Sequence, residues 1–528
     1  MRSRRLSYAD ARRSSDLVLD HLNGAPFLEG TSQFTPDLDG LLAAARARSF
    51  PAEHRAVLHA ALSRQYAGSV ADPRVHGNIN ALAREGTLTI TTGHQLCLFG
   101  GPLYVPFKIL NAVRLASELG KVSGRTVVPV FWMATEDHDR DEIDHVHVNG
   151  ERIQWPGRSG GAVGRMPLEG VGPALERAIA LLGPGEFASD MATLLRSAYR
   201  PEHTLAQATR LFINGLFGHL GVVCIDGDDP DLKRLFAPIM QEELINKVTH
   251  RAVTYANERL AGRYPIQAHA REINLFHLSE GRRSRIEQQG EEYVVLDGGP
   301  RFSLDALLQE LEAHPERFSP NVLMRPLYQE AILPNVGYIG GGGELAYWLQ
   351  LRWSFQAVQL PMPAVLLRTS AAFISAKHMR QWEKLGLTHL DLFLPIEEVL
   401  ARVARDRSGV PVGIDAEQEE MRAFYARLKE RAVAMDPTLA GAVEARHARA
   451  LHGLERIGKG FLRAAKRKEG EALERLARIH SAVFPGGGLQ ERSESILPVL
   501  AALGPGFLAE LLHELDPLAG EFTLFEED

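Results

Sequence analysis

The sequence predicts an α/β protein built on a mostly parallel sheet, and residues 87–147 carry most of that prediction. Residues 87–92 alternate apolar and polar side chains, and residues 126–134 form a nearly continuous apolar run. These are the patterns of a half-buried strand and a fully buried strand. Apolar residues recur at helical spacing over 105–116, and a strand, a helix and a strand in this order form a right-handed unit with parallel strands. We therefore predict a Rossmann-like sheet that carries inserted segments.

The same pattern returns later in the chain and defines the expected domains. Short apolar strand patterns follow at 221–226, 336–339 and 364–367, and residues 150–185 are rich in Gly and Pro, as in a loop-rich insertion. The expected organisation has an N-terminal helical part of the core at 1–85, a core at 86–390 with insertions at about 150–200 and 230–330, a helical arm at 415–482, and a C-terminal segment at 483–528 that returns to the core.

Residues 415–482 have the composition of long helices. Ala, Arg, Glu and Leu dominate, and Pro437 is the main helix breaker. Such a segment favours a helical hairpin or an α-helical coiled coil. Because an amphipathic helix pair leaves an apolar stripe that needs a partner, we expect this arm to form a homodimer.

Bulk properties narrow the class of protein. A net charge of −7 argues against a general nucleic-acid binder. The longest apolar runs fall short of the roughly 18 residues of a membrane span, and the basic N-terminus lacks the apolar segment of a secretory signal. Cys97 and Cys224 are the two cysteines, and they stand in unrelated contexts that indicate neither a disulfide framework nor a metal pair. We expect a cytoplasmic protein that binds neither nucleic acid nor membrane.

Polar residues follow both strands of the first unit. Residues 92–95 read TGHQ and residues 135–139 read TEDHD. Parallel strands end on the same edge of a sheet, so these two loops should lie side by side. In open α/β sheets that edge is where ligands bind, and we predict the functional site there.

The second loop supplies candidates for chemistry. Asp137, His138 and Asp139 could act in acid–base catalysis or hold a substrate ammonium group. If the following segment is helical, His138, Glu142 and His145 share one face and are candidate ligands for a divalent metal. A solvated helix start capped by acids is the structural alternative.

Glycines around the first loop would let a ligand approach the backbone closely. A plain strand-to-helix turn explains the same glycines. The candidates for substrate or nucleotide binding here are Gly93, His94, Gln95, Gly100, Gly101 and Tyr104.

A run of four glycines, residues 340–343, precedes Glu344 and a helical pattern. Exposed amides at a helix start form a cradle for phosphate or carboxylate, so Gly340, Gly341, Gly342, Gly343 and Glu344 are further binding candidates. The spacing is not that of a Walker loop, and a flexible loop is the alternative.

Some residues have weaker claims. Tyr347 and Trp348 are more typical of a core helix face, and Cys97, between two leucines, is more typical of a buried apolar position. The basic run containing Arg282, Arg283 and Arg285 could bind phosphates or carboxylates, or be a solvated hairpin edge.

Several long segments resemble one enzyme family. They are TGHQ at 92–95, LFGGPLY at 98–104, VVPVFWMATEDHDRDEI at 127–143, LFHLSEGRRSRI at 275–286, FSPNVLMRPLYQEAILPNVGYIGGGGELAYWLQL at 318–351, PMPAVLLRTS at 361–370 and FPGGGLQERSESILP at 484–498. Together they resemble the bacillithiol biosynthesis cysteine-adding enzymes, and the resemblance weakens over 150–200 and 395–480.

The resemblance implies a ligase that joins cysteine to glucosaminyl-malate through an amide bond, acting as a homodimer. That chemistry needs an activated cysteine carboxylate, so ATP or another nucleotide is a candidate cofactor, as is a divalent metal. Two other hypotheses stay open: a metal-dependent hydrolase or transferase that uses the acid–histidine loop, and a non-catalytic dimer that binds a metabolite.

Overall fold

The computed structural model describes residues 1–157 and 160–527. Two positions of the predicted Gly- and Pro-rich insertion, 158 and 159, and the last residue of the C-terminal segment lie outside the described residues. The strands are β1 (Arg2–Ser7), β2 (Leu88–His94), β3 (Val127–Met133), β4 (His145–Val148), β5 (Glu151–Gln154), β6 (Val223–Asp226), β7 (Leu275–Ser279), β8 (Arg282–Gln289), β9 (Glu292–Val295), β10 (Arg301–Phe302), β11 (Phe318–Pro320), β12 (Asn335–Gly340), β13 (Ala364–Leu367), β14 (Ala371–Ser375) and β15 (Glu521–Glu527).

Helices surround these strands. They are α1 (Tyr8–Ala11), α2 (Asp16–Leu22), α3 (Leu38–Ala47), α4 (Ala52–Gln65), α5 (Pro73–Leu82), α6 (Tyr104–Ser123), α7 (Gly172–Ala180), α8 (Ala188–Ala198), α9 (Leu205–Phe217), α10 (Pro230–Asn246), α11 (Val248–Leu260), α12 (Leu304–Ala313), α13 (Arg325–Ile332), α14 (Gly342–Leu349), α15 (Arg352–Ala357), α16 (Ala376–Glu383), α17 (Ile396–Arg407), α18 (Asp415–Met435), α19 (Ala440–Lys468), α20 (Gly470–Val483), α21 (Leu497–Leu503) and α22 (Gly506–Glu514).

A five-stranded parallel sheet in the order β13-β12-β2-β3-β6 forms the core. The predicted unit of β2, α6 and β3 is confirmed, with His94 opposite Met133 at the carboxyl end of the strand pair. Twelve of the α6 side chains are buried against the sheet and its surroundings, and the helix ends at Gly124 in the left-handed conformation. The α/β class with a Rossmann-like sheet follows from this arrangement.

The strand order reverses next to β2. From β2 the chain moves through β3 to β6 on one side, and the later strands β12 and β13 lie on the other side. The loops after β2 and β12 therefore leave the sheet at a topological switch point. In open α/β sheets the crevice outside such a point is where ligands bind.

Two smaller sheets complete the body of the protein. Strands β7 to β11 form an antiparallel sheet within the insertion, in the order β10-β9-β8-β7-β11. Strands β1, β15 and β14 form a sheet that joins the two ends of the chain. The sequence pattern predicts helices over 1–85 but does not indicate β1, because its residues RSRRLS are mostly polar and exposed.

The predicted arm is present. Helices α18 and α19 pack against one another as a hairpin that turns at Pro437, and α20 leads back to the body. In α18 no described residue is buried, and in α19 Ala465 is the buried residue. Over the described ranges, no helix is both long enough and apolar enough to cross a membrane.

Candidate functional site

A cavity of about 650 Å³ lies at the carboxyl end of the parallel sheet, between the sheet and the antiparallel insertion. The loops after β2, β3 and β12 all contribute to its lining. The predicted site residues among the lining are Gly93, His94, Gln95, Tyr104, Asp137, His138, Gly341, Gly342, Gly343 and Glu344. The structure thus brings together three segments that are far apart in the sequence.

Other predicted residues do not line this cavity. Gly100 and Gly101 have φ of +86° and +69°, and a Cβ atom would stand 2.5 Å from the Phe212 ring and 2.6 Å from Cys97 Cβ respectively. Turn geometry and packing therefore explain why glycine occupies both positions. Gly340 ends β12, and its carbonyl accepts a hydrogen bond of 2.8 Å from the Arg368 amide.

The loops after β2 and β3 are joined directly, as the parallel unit predicted. Gln95 Nε2 donates a hydrogen bond of 2.9 Å to Asp137 Oδ2. The amide of His138 donates to Asp137 Oδ1 at 2.8 Å. Burial raises the pKa of Asp137, but hydrogen bonds from His138 and Gln95 together hold it well below its usual range. Asp137 is therefore a fixed carboxylate at neutral pH.

His94 lies at the end of β2 in a small cluster. Its Nε2 is 3.0 Å from the Tyr104 hydroxyl and 3.5 Å from Cys97 Sγ. Burial, with the nearby charge of Lys108, lowers the pKa of His94 to about 3. The imidazole is therefore neutral at physiological pH and serves as a hydrogen-bonding group rather than as a cation.

Burial raises the pKa of the Cys97 thiol to about 12, and burial does the same for Cys224. Both therefore remain thiols at neutral pH, which disfavours a nucleophilic role. Trp348 is buried and stacks on Tyr338 with ring centroids 4.3 Å apart, whereas Tyr347 lines the cavity.

A buried lysine that was not among the predicted site residues joins the glycine loop (residues 340–343) to β2. Lys108 Nζ donates to the Gly93 carbonyl and to Glu344 Oε2, the latter at 2.7 Å. Glu344 also accepts hydrogen bonds from the Tyr338 hydroxyl at 2.6 Å and the Gly341 amide at 2.9 Å. Although burial raises the pKa of Glu344, Lys108 and these donors bring it down to about 2. The sequence feature that could have identified Lys108 is its position, as a charged residue, within the apolar run of α6.

His138 is held by the insertion. Arg283 Nη1 lies 2.9 Å from His138 Nδ1, and its guanidinium stacks over the Phe276 ring at 4.0 Å. Because arginine can only donate, this contact assigns the acceptor role to Nδ1. Arg283 is further fixed by donating to the Pro320 carbonyl at 2.8 Å. The basic run of the insertion therefore reaches the cavity through Arg283, and its binding of phosphate or carboxylate stays a prediction.

The helix that a shared face of His138, Glu142 and His145 would require does not follow Asp139. Residues 140–144 form turns, and β4 begins at His145. The segment turns because Arg140 contacts Trp155. Arg140 Nη2 donates to the Trp155 carbonyl at 2.7 Å, and the guanidinium stacks over the Trp155 indole ring. These contacts close the chain onto the β4–β5 hairpin. His138, Glu142 and His145 therefore do not share a helix face.

The proposed metal ligands are dispersed. His145 Nδ1 lies 3.2 Å from Asp144 Oδ1, and its ring packs edge-on against His147. Glu142 accepts a hydrogen bond from Gln95, and Asp139 is exposed outside the lining. Within 1–157 and 160–527, no three His, Cys, Asp or Glu residues are grouped so that they could hold a metal ion.

The acids that line the cavity all have basic partners. Glu136 pairs with the buried Lys233, and although burial raises the pKa of Glu136, that lysine opposes the shift. Glu344 pairs with Lys108, and Asp137 lies 4.0 Å from Arg283. Each acid among the described residues of the lining therefore has a nearby cation.

The arginines of the lining outnumber these acids. The lining contains Arg271, Arg283, Arg285, Arg325, Arg368 and Arg492. Arg368 is paired with Glu491 at 2.6 Å, but the structure records no ion pair among the described residues for Arg271, Arg285, Arg325 or Arg492. Arg282 lies outside the lining and donates to the Asp297 carbonyl at 3.0 Å. The cavity is therefore a cationic pocket suited to an anionic ligand.

Two family models match the chain. The bacillithiol biosynthesis BshC N-terminal Rossmann-like domain matches residues 1–369, and the bacillithiol biosynthesis BshC C-terminal coiled-coil domain matches residues 371–527. Together they span both the body and the arm described above.

Relatives match over nearly the whole chain. The protein named "Putative cysteine ligase BshC" from Flavobacterium johnsoniae is 38% identical over 98% of each chain. Proteins of the same name from Cytophaga hutchinsonii and Bacillus mycoides are 37% identical over 97% of each chain, and 28% identical over 83% of this chain and 84% of that one. A solved structure described as a putative arginyl-tRNA synthetase from Campylobacter jejuni is 10% identical, covers 88% of this chain and 98% of that chain, and has a TM-score of 0.20. A TM-score that low does not establish a shared fold.

Proposed function

Because the chain belongs to the bacillithiol biosynthesis BshC family, we propose that it is a ligase that joins the cysteine carboxyl group to the amino group of glucosaminyl-malate. The product is an amide, and the reaction takes place in the cavity at the switch point of the sheet. The names of the relatives and the position of the cavity support this proposal.

The observation that carries the proposal is the excess of cations in the lining. Glucosaminyl-malate bears two carboxylates on its malyl group, and a cavity with unpaired arginines offsets that charge. Arg271 and Arg285 belong to the insertion, and Arg492 belongs to the C-terminal segment. We assign the malyl carboxylates to this wall, since guanidinium groups bind carboxylates through paired hydrogen bonds.

Cysteine then occupies the side of the cavity next to the sheet. Asp137 is a carboxylate fixed by Gln95, and it offers an anion for the cysteine ammonium group. The amides of Gly342 and Gly343 belong to the first turn of α14, where amides lack partners within the helix. They offer donors to the cysteine carboxylate or to a phosphate that activates it.

The attacking amine must lose a proton as the amide bond forms. Asp137 and His138 both line the cavity. Because Asp137 stays ionised as the partner of the ammonium group, we assign proton transfer to His138, whose Nδ1 is its acceptor nitrogen. Asp139 is exposed outside the lining and has no role in this scheme. A free carboxylate resists attack by an amine, so we propose that a nucleoside triphosphate first transfers a phosphoryl or adenylyl group to it. The amine then attacks the carbonyl carbon, and the C–O bond to that group breaks, so that phosphate or the nucleoside monophosphate leaves.

We also propose that the arm joins two copies of the chain. The helices of the arm and the turn between them expose large apolar side chains, which a second copy would cover. These residues are Phe424, Val433, Met435, Leu439, Ile457 and Phe461.

An omission assay tests the proposed activity. The purified protein is incubated with cysteine, glucosaminyl-malate and ATP, with each left out in turn, and the product thiol is measured by mass spectrometry. Product that requires both cysteine and the amino sugar supports the proposal, and its absence under all conditions contradicts it. Loss of activity with a chelator, together with a stoichiometric metal in the purified protein, would favour the metal-dependent alternative.

A further inference from the structure

Lys108 connects the two loops that leave the sheet on either side of its switch point. Its ammonium group donates to the Gly93 carbonyl at the end of β2 and to Glu344 in the first turn of α14. Glu344 in turn accepts from the Gly341 amide at 2.9 Å. One cation thus holds the backbone of the first loop and, through one carboxylate, the backbone of the glycine loop.

The strands themselves do not supply this connection. The ladder between β2 and β12 ends where Thr92 lies opposite Ile339, and Thr92 Oγ1 donates to the Ile339 carbonyl at 2.8 Å. Beyond that point β2 continues to His94 next to β3, whereas the chain after β12 turns into α14. Lys108 bridges the gap between the two loops just past the end of the ladder.

Fold stability alone does not explain a lysine at this position. The Lys108 side chain is 0% exposed, and its neighbours Phe107 and Ile109 are buried apolar residues. Burying an ammonium group costs desolvation that its ion pair offsets only in part, and apolar replacement of a buried pair is often neutral or stabilising. The two loops that Lys108 holds together through Gly93 and Glu344 therefore explain the lysine better than stability does.

We propose that Lys108 is a positioning residue that fixes the separation of the β2 loop and the glycine loop so that cysteine binds between them. The inference rests on the proposed function for the identity of the ligand. Lys108 itself lies outside the lining of the cavity, so it acts through Gly93 and Glu344 and does not contact the ligand. Holding reactive groups in register in this way supports catalysis without any contact with the reacting atoms.

The test compares single, double and control variants. Lys108→Met leaves Glu344 without its cation, whereas the double variant K108M/E344Q removes both charges and keeps an amide that can bond Gly341 and Tyr338. Arg48→Met is the matched control, because Arg48 and Glu330 form another buried ion pair, 4.0 Å apart, and neither residue lines the cavity. Each protein is measured for melting temperature, for amide hydrogen exchange in the two loops, and for the KM of each substrate.

We expect Lys108→Met to lower the melting temperature, to speed exchange at 93–95 and 341–344, and to raise the KM of cysteine about tenfold or more, with the KM of glucosaminyl-malate unchanged. The double variant should recover the melting temperature but neither loop exchange nor cysteine KM. Arg48→Met should lower only the melting temperature. A double variant with wild-type loop exchange and wild-type cysteine KM would overturn the inference.

If the unaltered protein makes no product, the proposed function fails, and hydrogen exchange alone then decides the role of Lys108. Unchanged exchange in the two loops overturns that role, and faster exchange there supports it. If both Lys108 variants fail to fold, Glu344→Gln gives the same comparison, since it weakens the bridge from the other side.

Discussion

Gln95 and Asp137 are joined by a hydrogen bond of 2.9 Å across the ends of two adjacent parallel strands. Gln95 follows β2 and Asp137 follows β3, so the bond connects loops that are separated in the chain by the whole of α6. Together with hydrogen bonds from His138, it holds the pKa of Asp137 well below its usual range and fixes the direction of the carboxylate. A carboxylate held in this way is a defined partner for a substrate ammonium group.

Arg271, Arg285 and Arg492 form the wall of the cavity assigned to the malyl carboxylates. Removal of one of these arginines should weaken binding of glucosaminyl-malate. Arg285→Ala deletes a charged donor for a malyl carboxylate, and we expect the KM of glucosaminyl-malate to rise about tenfold or more. Arg282→Ala is the control, because Arg282 lies three positions away on the same strand but outside the lining. Equal effects of the two substitutions in steady-state kinetics would count against the assignment of this wall.

The arm should determine the oligomeric state. Phe461 is 49% exposed and Ile457 is 50% exposed on α19, so a charge at either position would stand in the proposed interface. The double variant I457E/F461E should halve the mass measured by light scattering. Val70 is 97% exposed in the body of the protein, and Val70→Glu should leave the mass unchanged. A dimer that survives the double variant would remove this face as the contact.

Glu330 should make stability depend on pH. Burial raises the pKa of Glu330 from 4.5 to about 7, although the Arg48 charge opposes that shift. The folded protein therefore binds more protons than the unfolded chain between these values, and the stabilising contribution is lost as pH rises through about 7. The full loss is about 3 kcal/mol.

Glu330→Gln removes this titration. Its melting temperature relative to that of the unaltered protein should therefore rise between pH 5 and pH 8, as measured by calorimetry at each pH. Parallel curves for the two proteins would show that Glu330 does not titrate in that window. The Glu330 side chain is 0% exposed, and neither Glu330 nor Arg48 lines the cavity. The substitution should therefore change the melting temperature without changing the activity.

The periodicity of the sequence was sufficient to predict the sheet around β2, α6 and β3. Strand β13 matches the predicted range 364–367, and the loops after β2 and β3 meet as the parallel arrangement required. These elements are continuous in the chain, and burial imposes a regular apolar pattern on them. The helical arm was predicted for the same reason.

The missed features depend on contacts between distant segments. Strand β1 is mostly polar, and it forms because β15 pairs with it from the other end of the chain. Arg492 comes to the cavity from the C-terminal segment, and Arg283 reaches His138 from the insertion. The turn after Asp139 depends on the contact between Arg140 and Trp155. Local patterns carry no information about such pairings.

His138 is the residue on which the proposed site depends most. It lines the cavity, and its side chain is 49% exposed, so His138→Ala should leave the core and the melting temperature unchanged. Asp141→Ala is the control, since Asp141 is exposed in the neighbouring turn and lies outside the lining. We expect that control to retain nearly full activity.

The decisive measurement is the rate at which His138→Ala forms the product thiol from cysteine and glucosaminyl-malate. Loss of proton transfer should reduce turnover by about 10²-fold or more with an unchanged melting temperature. Near-normal thiol production by a folded His138→Ala protein would contradict the assignment of catalysis to this edge of the sheet.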